Sequence, residues 1–384
     1  MPELMIDTTR LMSRLFEGRL PTGIDRVCLA YVRRYAPVAR LVVRRGRFGV
    51  VLPQTFSRRL CSLLLRKGDG SAPCVGTAVA DSGLQGRGGR GQSSAVLLNL
   101  GHSGLEQPHY GEWLRRRKLR SIFMVHDLIP VTHPEYCRPL EQSRHARRIQ
   151  TVLCTATAVV TNSRSTLQAL SRYAADKGLP MPPALAAPLA PADFSREVGR
   201  RPVEEPYFVM LSTIEPRKNH WLILQVWRRL IERLGPKAPR LVIIGQRGWE
   251  CENVVDLLER CSVLRGFVIE KRGCPDAELA TYLRHAQALL FPSFVEGYGL
   301  PLIEALSLGV PVIASDLQVF REVARDIPEY VDPLDGIGWL RCVESFCDPT
   351  GTLRPAQLLR LTKFEPPTWS AHFELFETLL ERVS

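Results

Sequence analysis

Two short stretches hold residues whose types and spacing could do chemistry. The longer runs Phe291-Pro292-Ser293-Phe294-Val295-Glu296-Gly297-Tyr298-Gly299-Leu300-Pro301-Leu302-Ile303-Glu304-Ala305-Leu306. A buried strand ends at Pro292, a loop with two glycines leaves peptide N–H groups uncovered, and Pro301 suits the first turn of a helix. Such a helix start is a ready anion site, favouring negative charge by about 0.3–1 kcal/mol when exposed and ~2 kcal/mol when partly buried. Glu296 just before it and Glu304 one turn inside it are expected to line that site. Two surface glutamates beside a helix start would be the bland reading, but it leaves the Gly-x-Gly-x-Pro between them unexplained. The shorter stretch is Leu211-Ser212-Thr213-Ile214-Glu215-Pro216-Arg217-Lys218-Asn219-His220. It follows a strand and opens a helix, and Arg217 and Lys218 could meet a diphosphate, Arg through its planar fork and Lys as a point charge.

The elements that must position these residues read as alternating strands and helices. In the second half, strands at 207–211, 241–244, 267–269, 288–291 and 311–314 alternate with helices at 219–234, 251–261, 275–285 and 301–308. That rhythm predicts a doubly wound parallel sheet. The first half repeats it, with apolar runs at 41–43, 95–100, 122–125 and 158–160 and helices at 23–35, 141–155 and 163–173. Residues 68–94 hold eight glycines and are expected to form a long mobile loop. Seven prolines between Gly178 and Pro206 mark an interdomain linker. The expected organisation is therefore one doubly wound domain over 1–195, a second over 196–368, and a closing helix over 369–384 that packs back toward the first domain. Ligands of two such sheets bind at the carboxyl ends of their strands, in a cleft that the domains face.

Composition narrows the function classes. The chain of 384 residues is 45% hydrophobic and 23% charged, which excludes a disordered or fibrous protein. It has no apolar run of membrane-spanning length. Met1–Arg10, with Glu3 and Asp7, is not expected to act as a secretory signal. The net charge of +12 is unevenly placed: 28 Lys and Arg against 13 Asp and Glu in residues 1–195, and 23 against 26 in the remainder. Basic-apolar stretches at Arg58–Lys67 and Trp113–Lys118 suit an anionic membrane face, with a solvated surface helix as the bland alternative. Nucleic acid is the weaker reading, since no nucleic-acid module or aromatic-stacking motif accompanies the charge. The ten cysteines include no Cys-x-x-Cys pair, and the histidines no His-Glu-x-x-His. Reduced, mostly buried thiols and no metal site are expected.

The Glu-x7-Glu pair of Glu296 and Glu304, the Gly-Tyr-Gly-Leu-Pro between them, and Glu215-Pro216-Arg217-Lys218-Asn219 resemble the family 4 retaining glycosyltransferases of GT-B fold. Pro311-Val312-Ile313-Ala314-Ser315 and the closing Trp369-Ser370 extend the likeness. Pro21-Thr22-Gly23-Ile24-Asp25-Arg26-Val27 and Val125-His126-Asp127-Leu128-Ile129-Pro130 are similar to the bacterial mannosyltransferase-like branch of surface-polysaccharide assembly. The resemblance implies an α/β protein of two Rossmann-like domains facing across a cleft, with a nucleotide-sugar donor and no cofactor or metal. It implies that Glu304 holds the ribose, Glu296 the donor sugar, and Arg217 and Lys218 the diphosphate. The turn from Gly297 and Tyr298 to Gly299 and Leu300 completes the cradle, Gly23 lets a loop approach the phosphates, and His126 contacts the sugar. One position departs from the pattern: an arginine common five residues before the lysine is Thr213 here, which leaves Arg217 to supply its charge.

The implied reaction moves a hexose, mannose from GDP-mannose by the branch likeness, to a lipid-linked or polysaccharide saccharide at the cytoplasmic face of the plasma membrane. Donors linked to UDP or dTDP, a nucleotide-sugar epimerase, and a non-catalytic sugar-nucleotide-binding protein stand as alternatives.

Overall fold

A computed structural model describes residues 2–18, 22–46, 48–65, 95–194, 197 and 199–383 of the protein. The Gly-rich stretch 68–94, expected to be a mobile loop, lies outside the described residues. The chain forms two compact units, one of residues 1–132, 140–189 and 369–384, the other of 133–139 and 190–368. The sequence reading puts the division at 195/196, six residues later, because the prolines that suggest a linker begin before the first sheet is complete.

The first unit is a seven-stranded sheet. In chain order its strands are β1 (Leu4–Asp7), β2 (Arg40–Arg45), β3 (Phe48–Val51), β4 (Val96–Asn99), β5 (Arg120–Val125), β6 (Ala158–Thr161) and β7 (Ala184–Ala186). Their spatial order is β3-β2-β1-β4-β5-β6-β7, with every pairing parallel except the β2–β3 hairpin at one edge. β7 lies inside the proline-rich stretch read as linker. It pairs with β6 through Val159 and Ala184. The central strands β1, β4, β5 and β6 bury both faces, as parallel strands covered by helices do, and Met5, Leu97, Phe123 and Val159 sit in one apolar cluster with Tyr110 and Trp113.

The second unit is a six-stranded, all-parallel sheet of β8 (Tyr207–Leu211), β9 (Arg240–Ile244), β10 (Val268–Lys271), β11 (Leu289–Phe291), β12 (Val312–Ser315) and β13 (Glu329–Val331). The order is β10-β9-β8-β11-β12-β13, so the direction of winding reverses between β8 and β11. Trp227 and Trp339 are fully buried in its core, each satisfying its indole N–H on a backbone carbonyl, Pro239 at 2.9 Å and Asp332 at 3.0 Å. Two Rossmann-like α/β units are thus what the sequence rhythm predicts. Residues 133–139 belong to the second unit through Tyr136, whose ring stacks on Phe294 at 5.3 Å.

The basic-apolar stretches turn part of their apolar residues inward. Trp113 and Leu114 are buried while Arg115, Arg116 and Lys118 are exposed. In the helix Gln54–Leu65, Leu60 and Cys61 are buried beneath exposed Arg58 and Arg59. Leu63, Leu64 and Leu65 at the end of that helix are half-buried. Of the nine described cysteines, all free thiols, Cys28, Cys61 and Cys251 are buried and Cys154 is exposed. The remaining five are half-buried, so fewer thiols are enclosed than expected.

The helix Trp369–Arg382 closes the first unit through a buried histidine. His372 Nε2 lies 2.8 Å from the Tyr31 hydroxyl, and Nδ1 lies 3.0 Å from the Pro188 carbonyl. A carbonyl only accepts, so Nδ1 carries the proton and Nε2 accepts from Tyr31. Burial pushes His372 down to about 4, only partly opposed by its bonds to the Pro188 and Ala187 carbonyls. The unfolded chain, with an ordinary imidazole, binds a proton first as pH falls. The stabilisation is therefore complete above about pH 6.5 and is lost as pH drops towards 4, up to about 3 kcal/mol. Burial holds His102, His126, His145 and His220 low as well, so they act in the same sense, whereas Asp7, pushed up to about 6 by burial, acts oppositely. Calorimetry is expected to show the melting temperature falling between pH 7 and pH 4.5, and falling less steeply for His372→Gln. Equal slopes for the two proteins would remove His372 from this account.

Candidate active site

The site is built where β8 and β11 end, at the point where the winding of the second sheet reverses. Open parallel sheets leave a crevice there. The segment after β8 makes a short 3-10 turn, Pro216–Lys218, and Asn219 takes a left-handed conformation at φ 55° before the helix His220–Leu234. Asn219 tolerates that geometry, and its side-chain amide donates to the Pro333 carbonyl at 2.8 Å. The turn is stitched to the loop after β11 by the Phe294 N–H, which donates to the Arg217 carbonyl at 2.8 Å.

Four charged side chains meet across these two loops. Arg217 donates from Nη1 to Glu296 Oε2 at 2.9 Å and places Nε 2.6 Å from Glu215 Oε1. Lys218 Nζ contacts Glu296 Oε1, which also accepts from the Ser293 hydroxyl at 2.8 Å. Burial alone would raise the Glu296 carboxyl, but Lys218, Arg217 and Ser293 outweigh it and bring it down to about 2. Burial raises Glu215 against the pull of Arg217 and Lys218, and it lowers Lys218, helped by Arg217 and opposed by Glu296 and Glu215. His220, on the same turn, is pushed down to about 3 by burial and the neighbouring Lys218, so its imidazole is neutral.

Gly299 starts the helix Leu300–Ser307 at φ 105°, a backbone region open to glycine. A Cβ there would also lie 2.8 Å from the Phe320 ring, which stacks on Phe291 at 4.9 Å. Lys218 Nζ stands 5.3 Å over the other side chain of that pair, Phe291. Glycine at 299 thus lets the helix start press against the wall beneath the lysine.

The structure brings Arg217 and Lys218 to Glu296, and the turn of Gly297, buried Tyr298 and Gly299 follows directly, with Leu300 as the first helical residue. Glu304 is buried four residues into that helix. Gly23 and His126 belong to the first unit. Gly23 begins the helix Gly23–Tyr35, capped by Thr22, whose hydroxyl donates to Asp25 at 2.6 Å. Asp25 is further held by Arg10 at 2.7 Å and Arg14 at 2.8 Å. His126 follows β5, is buried, and its Nε2 meets the Leu100 carbonyl at 2.7 Å. Its ring is one of three: His102 lies 5.3 Å from His126 and 5.7 Å from His145. Among the described residues no cluster of His, Cys, Asp or Glu has the arrangement of a metal site.

Sequence reasoning passed over Glu215 and Ser293 as partners, although both lie inside the stretches it singled out. Thr22-x-x-Asp25 is a capping-box signal that could have been read.

Residues 192–327 match the family model described as Glycosyl transferases group 1. The chain is 31% identical over 231 residues to O-antigen chain mannosyltransferase B of Escherichia coli, a match taking in 58% of this chain and 60% of that protein. It is 34% identical over 130 residues to the phosphatidyl-myo-inositol mannosyltransferase of Mycolicibacterium smegmatis, across 32% of this chain and 31% of that one. The aligned regions span at most 60% of either relative. Among solved structures, Anabaena HepE in complex with UDP-glucose superposes with a TM-score of 0.68 at 12% identity, over 99% of this chain and 100% of that one. The α,α-trehalose 6-phosphate synthase of Burkholderia multivorans gives 0.62 at 13% identity, over 100% and 97%. At such identity these neighbours show the fold, GT-B, and nothing further.

Proposed function

We propose that the protein is a retaining glycosyltransferase that moves mannose from GDP-mannose to a lipid-linked or polysaccharide saccharide in cell-surface glycan synthesis. The observation that carries this reading is the meeting of Arg217 and Lys218 with Glu296 at the switch point of the second sheet, beside the helix start at Gly299. Breaking a sugar–phosphate bond builds negative charge on the leaving diphosphate. Fixed cations and peptide N–H groups aimed at that charge are the largest help a protein can give. Arg217, Lys218 and the amides of Gly299 and Leu300 fill that role. Glu296 takes the donor sugar hydroxyls and Glu304 the ribose. The leaving phosphate oxygen accepts the acceptor's proton on the same face of the sugar, without a metal. The contacts assigned to Gly23 with the phosphates and to His126 with the sugar are proposals of the same standing.

The names of the matched relatives support mannose and surface glycan. A thermal-shift panel of GDP-mannose, UDP-glucose and dTDP-glucose tests the donor, since a ligand at 100 times its Kd adds ~2.7 kcal/mol. GDP-mannose is expected to raise the melting temperature most, with GDP released only when an acceptor saccharide is present. No shift with any sugar nucleotide would sink the reading, and release without acceptor would sink the transfer.

The acceptor half is expected to lie at the anionic inner face of the plasma membrane. No helix among the described residues is long and apolar enough to cross a membrane. The exposed Arg58, Arg59, Arg115, Arg116 and Lys118 support electrostatic attraction to a lipid surface, on the order of 1 kcal/mol per basic residue. The protein is expected to sediment with anionic vesicles and not with neutral ones, and equal binding to both would remove this part.

A further inference from the structure

The two cations of the site already hold an anion, and it is the protein's own. Glu296 accepts from Arg217 with one oxygen and from Lys218 and Ser293 with the other. Its side chain is only 9% exposed, as is that of Lys218, so the carboxylate is enclosed by the groups that a diphosphate would need. Glu215 occupies the Nε edge of Arg217 separately. A diphosphate cannot take the same donors while Glu296 stays, because two anions on one cation pair repel one another in a poorly solvated site.

We propose that Glu296 is a built-in occupant of the diphosphate site and that the diphosphate enters by displacing it. Resting on the reading of the site as a diphosphate cradle, this adds how that cradle is kept and opened. With Glu296 seated, Lys218 and Arg217 are neutralised and remain folded in a buried position that unpaired charges would destabilise. When the diphosphate replaces the carboxylate, Arg217 keeps Glu215 and so stays oriented, while Glu296 swings free of both cations. The freed carboxylate is then available to sugar hydroxyls only after the diphosphate has docked, which couples recognition of the two parts of the donor. No bond is made or broken and no proton moves in this step. One anion exchanges for another on the same donors.

Isothermal titration of the full chain with inorganic pyrophosphate tests the exchange without needing a sugar or a base. Glu296→Gln removes the competing charge and is expected to bind pyrophosphate about 10-fold tighter than the wild type. That change alone would also follow from the altered net charge. Ser293→Ala therefore supplies the decisive comparison: it leaves every charge in place and removes one hydrogen bond that seats Glu296. Ser293→Ala is expected to bind pyrophosphate about 3- to 10-fold tighter, the range set by the net contribution of a typical hydrogen bond. Affinity equal to or weaker than the wild type in Ser293→Ala overturns the exchange and leaves the diphosphate reading intact. If wild type and both variants bind no pyrophosphate, the cradle and the exchange fall together. Circular dichroism melting of each variant separates a lost site from a lost fold, and Glu215→Gln adds a charge control. It removes one negative charge while Glu296 stays seated, and so is expected to gain less than Glu296→Gln. An equal gain would show that charge alone acts and would overturn the exchange.

Discussion

Replacing Lys218 with Met is expected to lower kcat for sugar transfer about 100- to 1,000-fold, the loss typical when one preorganised donor to a developing anion is removed. Lys218 is buried at 7% exposure, and its ammonium meets Glu296 while lying over the Phe291 ring. Met keeps the apolar stem against that ring and fills a similar volume, so packing survives and the charge is lost. Arg217 stays, but it is shared between Glu215 and Glu296 and cannot cover both phosphates alone. The effect is expected in kcat more than in KM, because charge on the diphosphate grows only as the bond to the sugar breaks. Steady-state transfer kinetics with the donor identified by thermal shift supply the measurement. A kcat within threefold of the wild type, in a variant that melts normally, would reduce Lys218 to a structural counter-ion of Glu296.

Much of the fold is legible in the sequence because buried parallel strands are short unbroken apolar runs. Ile122–Val125, Ala158–Val160 and Tyr207–Leu211 stand out for that reason, and all fall within strands. The strands that escaped notice are those where the run is short or carries charge. β1 is four residues ending in Asp7, β7 is three residues among prolines, and β13 begins with Glu329. β3 is an edge strand after a turn at Gly46, with Phe48 exposed, so its apolar pattern is incomplete. The site was legible as residue types but not as pairings. Arg217, Lys218 and Glu296 are nearly eighty positions apart in the chain, and they meet because β8 and β11 are neighbours in the sheet. Strand order is a tertiary property, so no local pattern predicts that Glu296 sits on both cations, or that Ser293 and Glu215 complete the set. The basic-apolar stretches are legible only in part: packing takes Trp113 and Leu114 into the core, while Leu63, Leu64 and Leu65 stay half-buried.

The largest structural effect is expected at Gly245, which ends β9 and carries no chemistry of its own. A Cβ there would lie 1.9 Å from the Ser212 carbonyl oxygen and 2.7 Å from its carbon, both backbone atoms that no rotamer change can move. The loops after β8 and β9 are laced together at this place. Ser212 N–H donates to the Ile244 carbonyl at 3.1 Å, Ile214 N–H to Gln246 at 2.9 Å, and Gly248 N–H to Ile214 at 2.9 Å. Gly245→Ala must therefore displace the segment 212–215 or break that lacing, and the same segment leads into Arg217 and Lys218. A cost of about 2–4 kcal/mol is expected, in the range for overpacking combined with lost buried hydrogen bonds. For a unit of this size that lowers the melting temperature by roughly 5–15 °C. Gly273→Ala is the matched control, since a Cβ at that position has no atom within 4 Å and should leave the melting temperature unchanged. Because the displaced segment carries the two cations, Gly245→Ala should also weaken pyrophosphate binding below the melting transition, while Gly273→Ala should not. A Gly245→Ala protein that melts with the wild type would show that the strand ends slide past one another freely. The cations would then need some other anchor to stay on Glu296.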